Sequence, residues 1–166
     1  MNQSLDSKIW SIAWPAIISN ISIPLLGLVD AALLGHLDSP DHLAAVAVGG
    51  AILSFLYWGF SFLRMGTTGE VARAMGTADE ERALVSLGRA ALLASAIAVL
   101  LLFMQAPLLH IGLAAMSPRA DVGSLADSYA GIRLLSAPAV LLTYTAVGWF
   151  IGRQNTRWPM LILIAT

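Results

Sequence analysis

The chain is 166 residues long, 58% hydrophobic and 11% charged, with a mean hydropathy of +0.78; soluble domains carry about twice that share of charged residues, so this balance places the chain in a membrane. A formal net charge of -1, with no Lys/Arg cluster interleaved with aromatics, excludes a nucleic-acid surface. The absence of cysteine excludes disulfides, thiolate metal sites and a Cys nucleophile.

Met1 to Ser7 is a polar lead, and Lys8 marks the first membrane boundary. The first helix is expected over residues 9–35. Its run from Ile9 to Val29 carries no charge, and about 20 apolar residues at 1.5 Å per residue suffice to cross a hydrocarbon core roughly 30 Å thick. The run is too long for a signal-peptide core and lacks a small-x-small cleavage site at its end, so it reads as a retained span. Pro15 and Pro24 lie inside it. Each lacks an N–H donor and leaves the carbonyl four residues back, Ser11 or Asn20, without its usual partner; bends are expected there, with other protein rather than lipid alongside. Asp30 follows the uncharged run. An acid in a spanning helix costs on the order of 3 kcal/mol at the bilayer centre and usually faces a bundle interior or a water-filled path.

The second helix is expected over residues 40–75, with Ser39 as N-cap and Pro40 at the first helical position. Leu43 to Leu63 is uncharged, and Arg64 at its end can extend its stem to the headgroups. Glu70 and Arg73 are spaced to pair on one face, and Gly76 stops the helix. Thr77 with Glu80 forms a capping-box pattern, and Asp79, Glu80 and Glu81 crowd the first turn of a third helix expected over 78–115. Within its apolar part Gln105 is the one strongly polar side chain. A fourth helix is expected over 121–152, with Arg133 near its start and Pro138 inside. Arg153 to Arg157 is a polar turn, and Trp158-Pro159 opens a fifth helix over 158–166, too short to cross a bilayer; the chain reads as a fragment ending inside a helix. Lys8, Arg64, Arg73, Arg82, Arg89, Arg153 and Arg157 fall on one side of this arrangement and only Arg119 and Arg133 on the other, which puts the N-terminus in the cytoplasm and Asp30 in the outer half.

Asp30 is the residue to which the sequence points for function. It can be a carboxylate near the outer interface that merely reaches water, or a site that takes up a proton or cation at one facing of the protein and releases it at the other. On a straight helix it shares a face with Ile23 and Ser19, and Ala31 to Leu34 continue the span beyond it, which favours the second reading. His36, His42 and His110 lack the spacing of helical metal pairs and read as interfacial. No metal site and no Ser/His/Asp constellation is expected. Gly66 to Gly69 is no phosphate loop, since no strand precedes it and no Lys follows; small residues there are expected to permit close helix packing.

Four stretches then match a family: Pro24-Leu25-Leu26-Gly27-Leu28-Val29-Asp30 with Gly35-His36-Leu37; Arg64-Met65-Gly66-Thr67-Thr68-Gly69 through Gly76; Ile132-Arg133-Leu134-Leu135-Ser136-Ala137-Pro138; and Gly152-Arg153-Gln154-Asn155-Thr156-Arg157-Trp158-Pro159-Met160. Together, in order and with family-like spacing over nearly the whole chain, they resemble the MATE (multidrug and toxic compound extrusion) transporters, and within them the DNA-damage-inducible F (DinF) branch. The resemblance implies an all-α integral membrane protein, the N-terminal part of a fold of twelve helices in two six-helix lobes. It further implies a multi-pass protein of the bacterial cytoplasmic membrane, not an enzyme, that exports organic cations, drugs or other toxic compounds in exchange for protons or sodium, without a further cofactor. Its partners would be the small-molecule substrate, the lipid bilayer and the remaining helices of the full-length chain. Asp30 falls on the family's first-helix acid, implicated in cation coupling and helix bending, and Pro15 on its first-helix proline. Two departures stand out. The family's fifth-helix Asn and Asp positions lie beyond Thr166, and Leu26 replaces a polar aromatic that some relatives carry. Asn20 and Gln105 are chemically suitable polar helpers to which the resemblance assigns no role.

Three other functions compete. A lipid-linked oligosaccharide flippase of the same superfamily needs a cavity that neutralises pyrophosphate, and the predicted spans have no Arg or Lys in their middles. A non-transporting structural module leaves Asp30 unexplained. An aspartyl intramembrane protease would need two acids sharing one site.

Overall fold

The computed structural model describes residues 10, 13, 14 and 17 and residues 40–165. Within these the chain is helical: α1 (Pro40–Gly59), α2 (Phe62–Gly76), α3 (Glu80–Phe103), α4 (Gln105–Met116), α5 (Ala120–Leu134), α6 (Ala137–Gly152) and α7 (Arg157–Ala165). The segment Pro40–Gly76 and helix Glu80–Phe103 are each long and apolar enough to cross a membrane, and Ala120–Leu134 with Ala137–Gly152 makes a third such span bent by 52°. Large apolar side chains lie open on these helices, among them Phe55, Trp58, Leu92, Phe103 and Ile132, as suits a surface that meets lipid or further helices rather than water. The architecture is that of an all-α integral membrane protein.

The described helices interrupt three of the stretches that the sequence reads as continuous. In residues 40–75 the break follows Gly59, where Phe60 N–H bonds Tyr57 O at 3.0 Å and Ser61 N–H bonds Trp58 O at 3.1 Å, a tightening to the three-residue helical bond. In residues 78–115 it falls at Met104 (φ -92°, ψ 13°). Pro107 is the cause: without an N–H it offers no donor to the Phe103 carbonyl. In residues 121–152 it falls at Leu135-Ser136, and Pro138, in the first turn of α6, is likewise no donor to Leu134.

Helix ends also differ in detail from the capping-box reading. The cap of α3 is Asp79, whose Oδ1 accepts the Arg82 N–H at 2.9 Å, while the Thr77 hydroxyl turns back to donate to Ala74 O at 3.0 Å. An aspartate placed there satisfies an orphan N–H and meets the positive end of the helix dipole at once. Left-handed residues follow three helices, Ala78, Ser117 and Gln154, none of them glycine.

Two compact units form. Among the described residues one comprises Leu63–Ala91 and residues 143–165, the other residues 40–62 and Leu92–Leu142. In the first, Val71, Ala74 and Ala83 make a core closed by Met75 and Trp149. The helix approach is set by Gly148 and Gly152 on α6: a Cβ at Gly148 would stand 2.6 Å from Arg64 O, and one at Gly152 2.7 Å from Val71 Cβ. Gly66 and Gly69, expected to serve packing, meet no described atom within 4 Å of such a Cβ, so the close-packing glycines lie on the opposing helix. Thr68 Oγ1 donates to Arg64 O at 2.8 Å and Gly148 O at 3.1 Å. Arg153 forks onto Glu80 at 3.0 and 3.2 Å and lies over the Trp149 ring at 4.7 Å, while Trp149 Nε1 donates to Ala83 O at 3.2 Å. The Glu70–Arg73 pair that the spacing predicts is present at 3.2 Å, exposed on both sides, where such pairs contribute little.

In the second unit α5 presents Val122, Ala126, Ala130 and Leu134, all buried, at four-residue spacing. Ala45 of α1 joins Val122 and Ala126 in its core, and Gly49 lets Tyr129 approach to 2.8 Å of where a Cβ would be. With lipid as apolar as leucine, small residues of this kind decide which faces meet.

Candidate functional site

Asp30, Pro15, Pro24 and Asn20, with most of the first helix expected over residues 9–35, lie outside the described residues. Gln105 is described, and its surroundings define a cleft with polar lining in the second unit. The break at Met104 makes Gln105 the first residue of α4. From there its Nε2 donates to Gly131 O at 3.1 Å, and a Cβ at position 131 would come within 3.1 Å of the same nitrogen; glycine leaves the room that the amide fills.

Around this bond a cleft of about 580 Å³ opens between α4 and α5, with Phe103, Ile132 and Leu135 as apolar walls and Gln105, Asp127 and Ser128 as polar lining. A second recess of about 490 Å³ shares Ala106 and Asp127 with it and adds His110 and Pro107. Asp127 therefore borders both. In the sequence Asp127 carries no assigned role and His110 reads only as interfacial, yet Asp127 lies two turns inside α5, about 10 Å from Ala120 at 1.5 Å per residue. Counting from the loop at residues 117–119 would have shown it, since His110 sits six residues before Met116 and so at similar depth. Carboxylate, imidazole and amide beside apolar walls can hold a positive charge; they contain no nucleophile oriented by a base, the arrangement that covalent catalysis needs. No group of three His, Cys, Asp or Glu side chains that could hold a metal occurs among the described residues.

The MatE family model matches residues 15–166. The chain belongs to the MatE family. Among curated proteins it is 40% identical over 161 residues to the DNA damage-inducible protein F of Escherichia coli, covering 97% of this chain and 35% of that protein. It is 29% identical over 146 residues to the uncharacterized transporter YisQ of Bacillus subtilis, covering 84% and 31%, and 35% identical over 74 residues to the probable multidrug resistance protein NorM of Acinetobacter baylyi, covering 45% and 16%. Of solved structures, a MOP superfamily transporter from Pyrococcus furiosus superposes with a TM-score of 0.86 at 22% identity, covering 95% of this chain and 35% of that one. A multidrug resistance MATE family transporter in an outward-facing conformation gives the same TM-score, identity and coverage. The likeness in structure establishes the MATE fold. The chain spans about a third of the length of the DNA damage-inducible protein F and of the Pyrococcus furiosus transporter.

Proposed function

We propose that the MATE protein to which this chain contributes is a cation-coupled antiporter of the bacterial cytoplasmic membrane, with its N-terminus in the cytoplasm, that exports organic cations, drugs or other toxic compounds in exchange for protons or sodium. The observation that carries the reading is one acid, Asp30, at the end of an uncharged spanning run in a chain that belongs to the MatE family. Similarity to a probable multidrug resistance protein supports the substrate class. An acid at that depth is costly unless it has a water path or a counter-ion, and an exchanger supplies both in turn. Pro15 and Pro24 free backbone carbonyls on the same run, giving the helix places to bend as the site changes facing. Asn20 is placed one turn before Pro24 as a candidate polar partner.

The test is dye efflux from proteoliposomes of the full-length protein under an imposed proton or sodium gradient, with thermal stability read on the same preparation. Asp30→Asn keeps size and most hydrogen bonding but removes the exchangeable charge. It is expected to insert, to be at least as stable as the parent and to export no dye. Efflux equal to the parent's removes Asp30 from coupling; loss of efflux together with stability makes it structural.

A further inference from the structure

We infer that Gln105 is a latch on the bend between α5 and α6: its amide stands in for the backbone donor that the break takes from Gly131, and so favours the bent form of the fourth span over a straight one. In a continuous helix the Gly131 carbonyl would accept from the Leu135 N–H. Here Leu135 N–H bonds Ile132 O at 3.2 Å and Ser136 N–H bonds Arg133 O at 3.1 Å, both one residue short of the α-helical partner. Gly131 O is released inside a membrane helix, where a carbonyl left without a donor is costly. Gln105 Nε2 takes the place of Leu135 at 3.1 Å.

Both partners of the bond exist because of a local defect. Pro107 ends α3 and sets Gln105 at the start of α4, and the missing side chain of Gly131 leaves the space its amide occupies. One helix break thus satisfies the backbone of another. When α5 and α6 align, Leu135 can reach Gly131 O and the amide loses its advantage; the bond therefore interacts differently with the two forms, which is the condition for it to bias their populations. Gln105 acts through α5 and is a positioning residue for the export proposed above; only the efflux arm of its test rests on that proposal.

The experiment uses the full-length protein with spin labels at Ser124 and Ile151 in a background that has no cysteine in this segment. At 1.5 Å per residue, a straight α5–α6 would separate the labelled positions by about 4 Å more than one bent by 52°. Gln105→Leu, close in size and unable to donate, is expected to move the bent-to-straight ratio toward the longer distance by on the order of fivefold, the worth of one ordinary hydrogen bond, and to slow efflux. Gln105→His carries an Nε2–H the same number of bonds from Cα and is expected to restore the parent's distribution. If the Leu variant does not fold, Gln105→Asn, one methylene too short to reach, replaces it. Distances identical in parent and donor-free variant overturn the latch, as does a lower thermal stability with no change in distance. The distance is read without substrate, so it stands or falls separately from the transport reading.

Discussion

Gly148 and Gly152 show how much of the packing rests on absent atoms. A methyl group at Gly148 would meet the Arg64 carbonyl at 2.6 Å, a backbone oxygen that cannot swing aside, so α6 would have to move off α2. Gly148→Ala is therefore expected to destabilise the full-length protein by about 1–3 kcal/mol, even though alanine is the better helix former by about 1 kcal/mol. Gly66→Ala meets no described atom and should gain up to about 1 kcal/mol. Thermal unfolding of both variants in one detergent checks the pair; opposite signs are the expected result, and stabilisation by both would mean that the helices do not need the glycine. In the sequence the two kinds of glycine look alike. Asp30 draws attention in the sequence because a charge in an uncharged run stands out by composition alone, and it lies outside the described residues; the partner of Gln105 lies 26 residues away on another helix and no local pattern announces it.

Helices were legible in this chain because apolar runs separated by Gly, Pro and charged turns mark their lengths, and α1, α3 and α6 lie within the stretches so marked. Their faces were not. A helix that is apolar nearly all round has no stripe to read, so burial along α5 through Val122, Ala126, Ala130 and Leu134 is fixed by small side chains meeting α1 rather than by hydrophobicity. The breaks were missed for a related reason: Phe103-Met104-Gln105-Ala106-Pro107 reads as an unbroken apolar stretch with one amide, although Pro107 leaves the Phe103 carbonyl without a donor. Pro107→Ala supplies that N–H. It is expected to close the break at Met104, slow hydrogen exchange at residues 104–108 as measured by mass spectrometry, and shift Gln105 away from Gly131, so that the Ser124–Ile151 distance lengthens as it does in Gln105→Leu. Unchanged exchange at the break would show that tertiary packing, not the proline, holds α3 and α4 apart.

At the scale of the whole chain the question is which ends of the helices face the cytoplasm. Helix α3, 24 residues long, is about 36 Å at 1.5 Å per residue, enough to cross the hydrocarbon core by itself, and α4 continues from it to Met116. The proposed topology therefore expects the loop at Thr77 and the loop at Ser117 on opposite sides of the bilayer. Arg64, Arg73, Arg82 and Arg89 flank the first loop, whereas Arg119 and Arg133 follow the second; positive residues are retained in the cytoplasm during insertion, so the proposed orientation expects Thr77 inside and Ser117 outside. The ion pair of Glu80 and Arg153 at 3.0 Å keeps the end of α6 beside the start of α3, whichever side that is. With no cysteine in the segment, single cysteines can be introduced at the two loops of the full-length protein. Ser117→Cys is expected to react with a membrane-impermeant maleimide added to intact cells, and Thr77→Cys to react only after the membrane is opened. Labelling of Thr77→Cys alone in intact cells would invert the orientation and carry Asp30 to the inner half of the bilayer, where an acid would meet the cytoplasm first and the proposed exchange would have to start from that side.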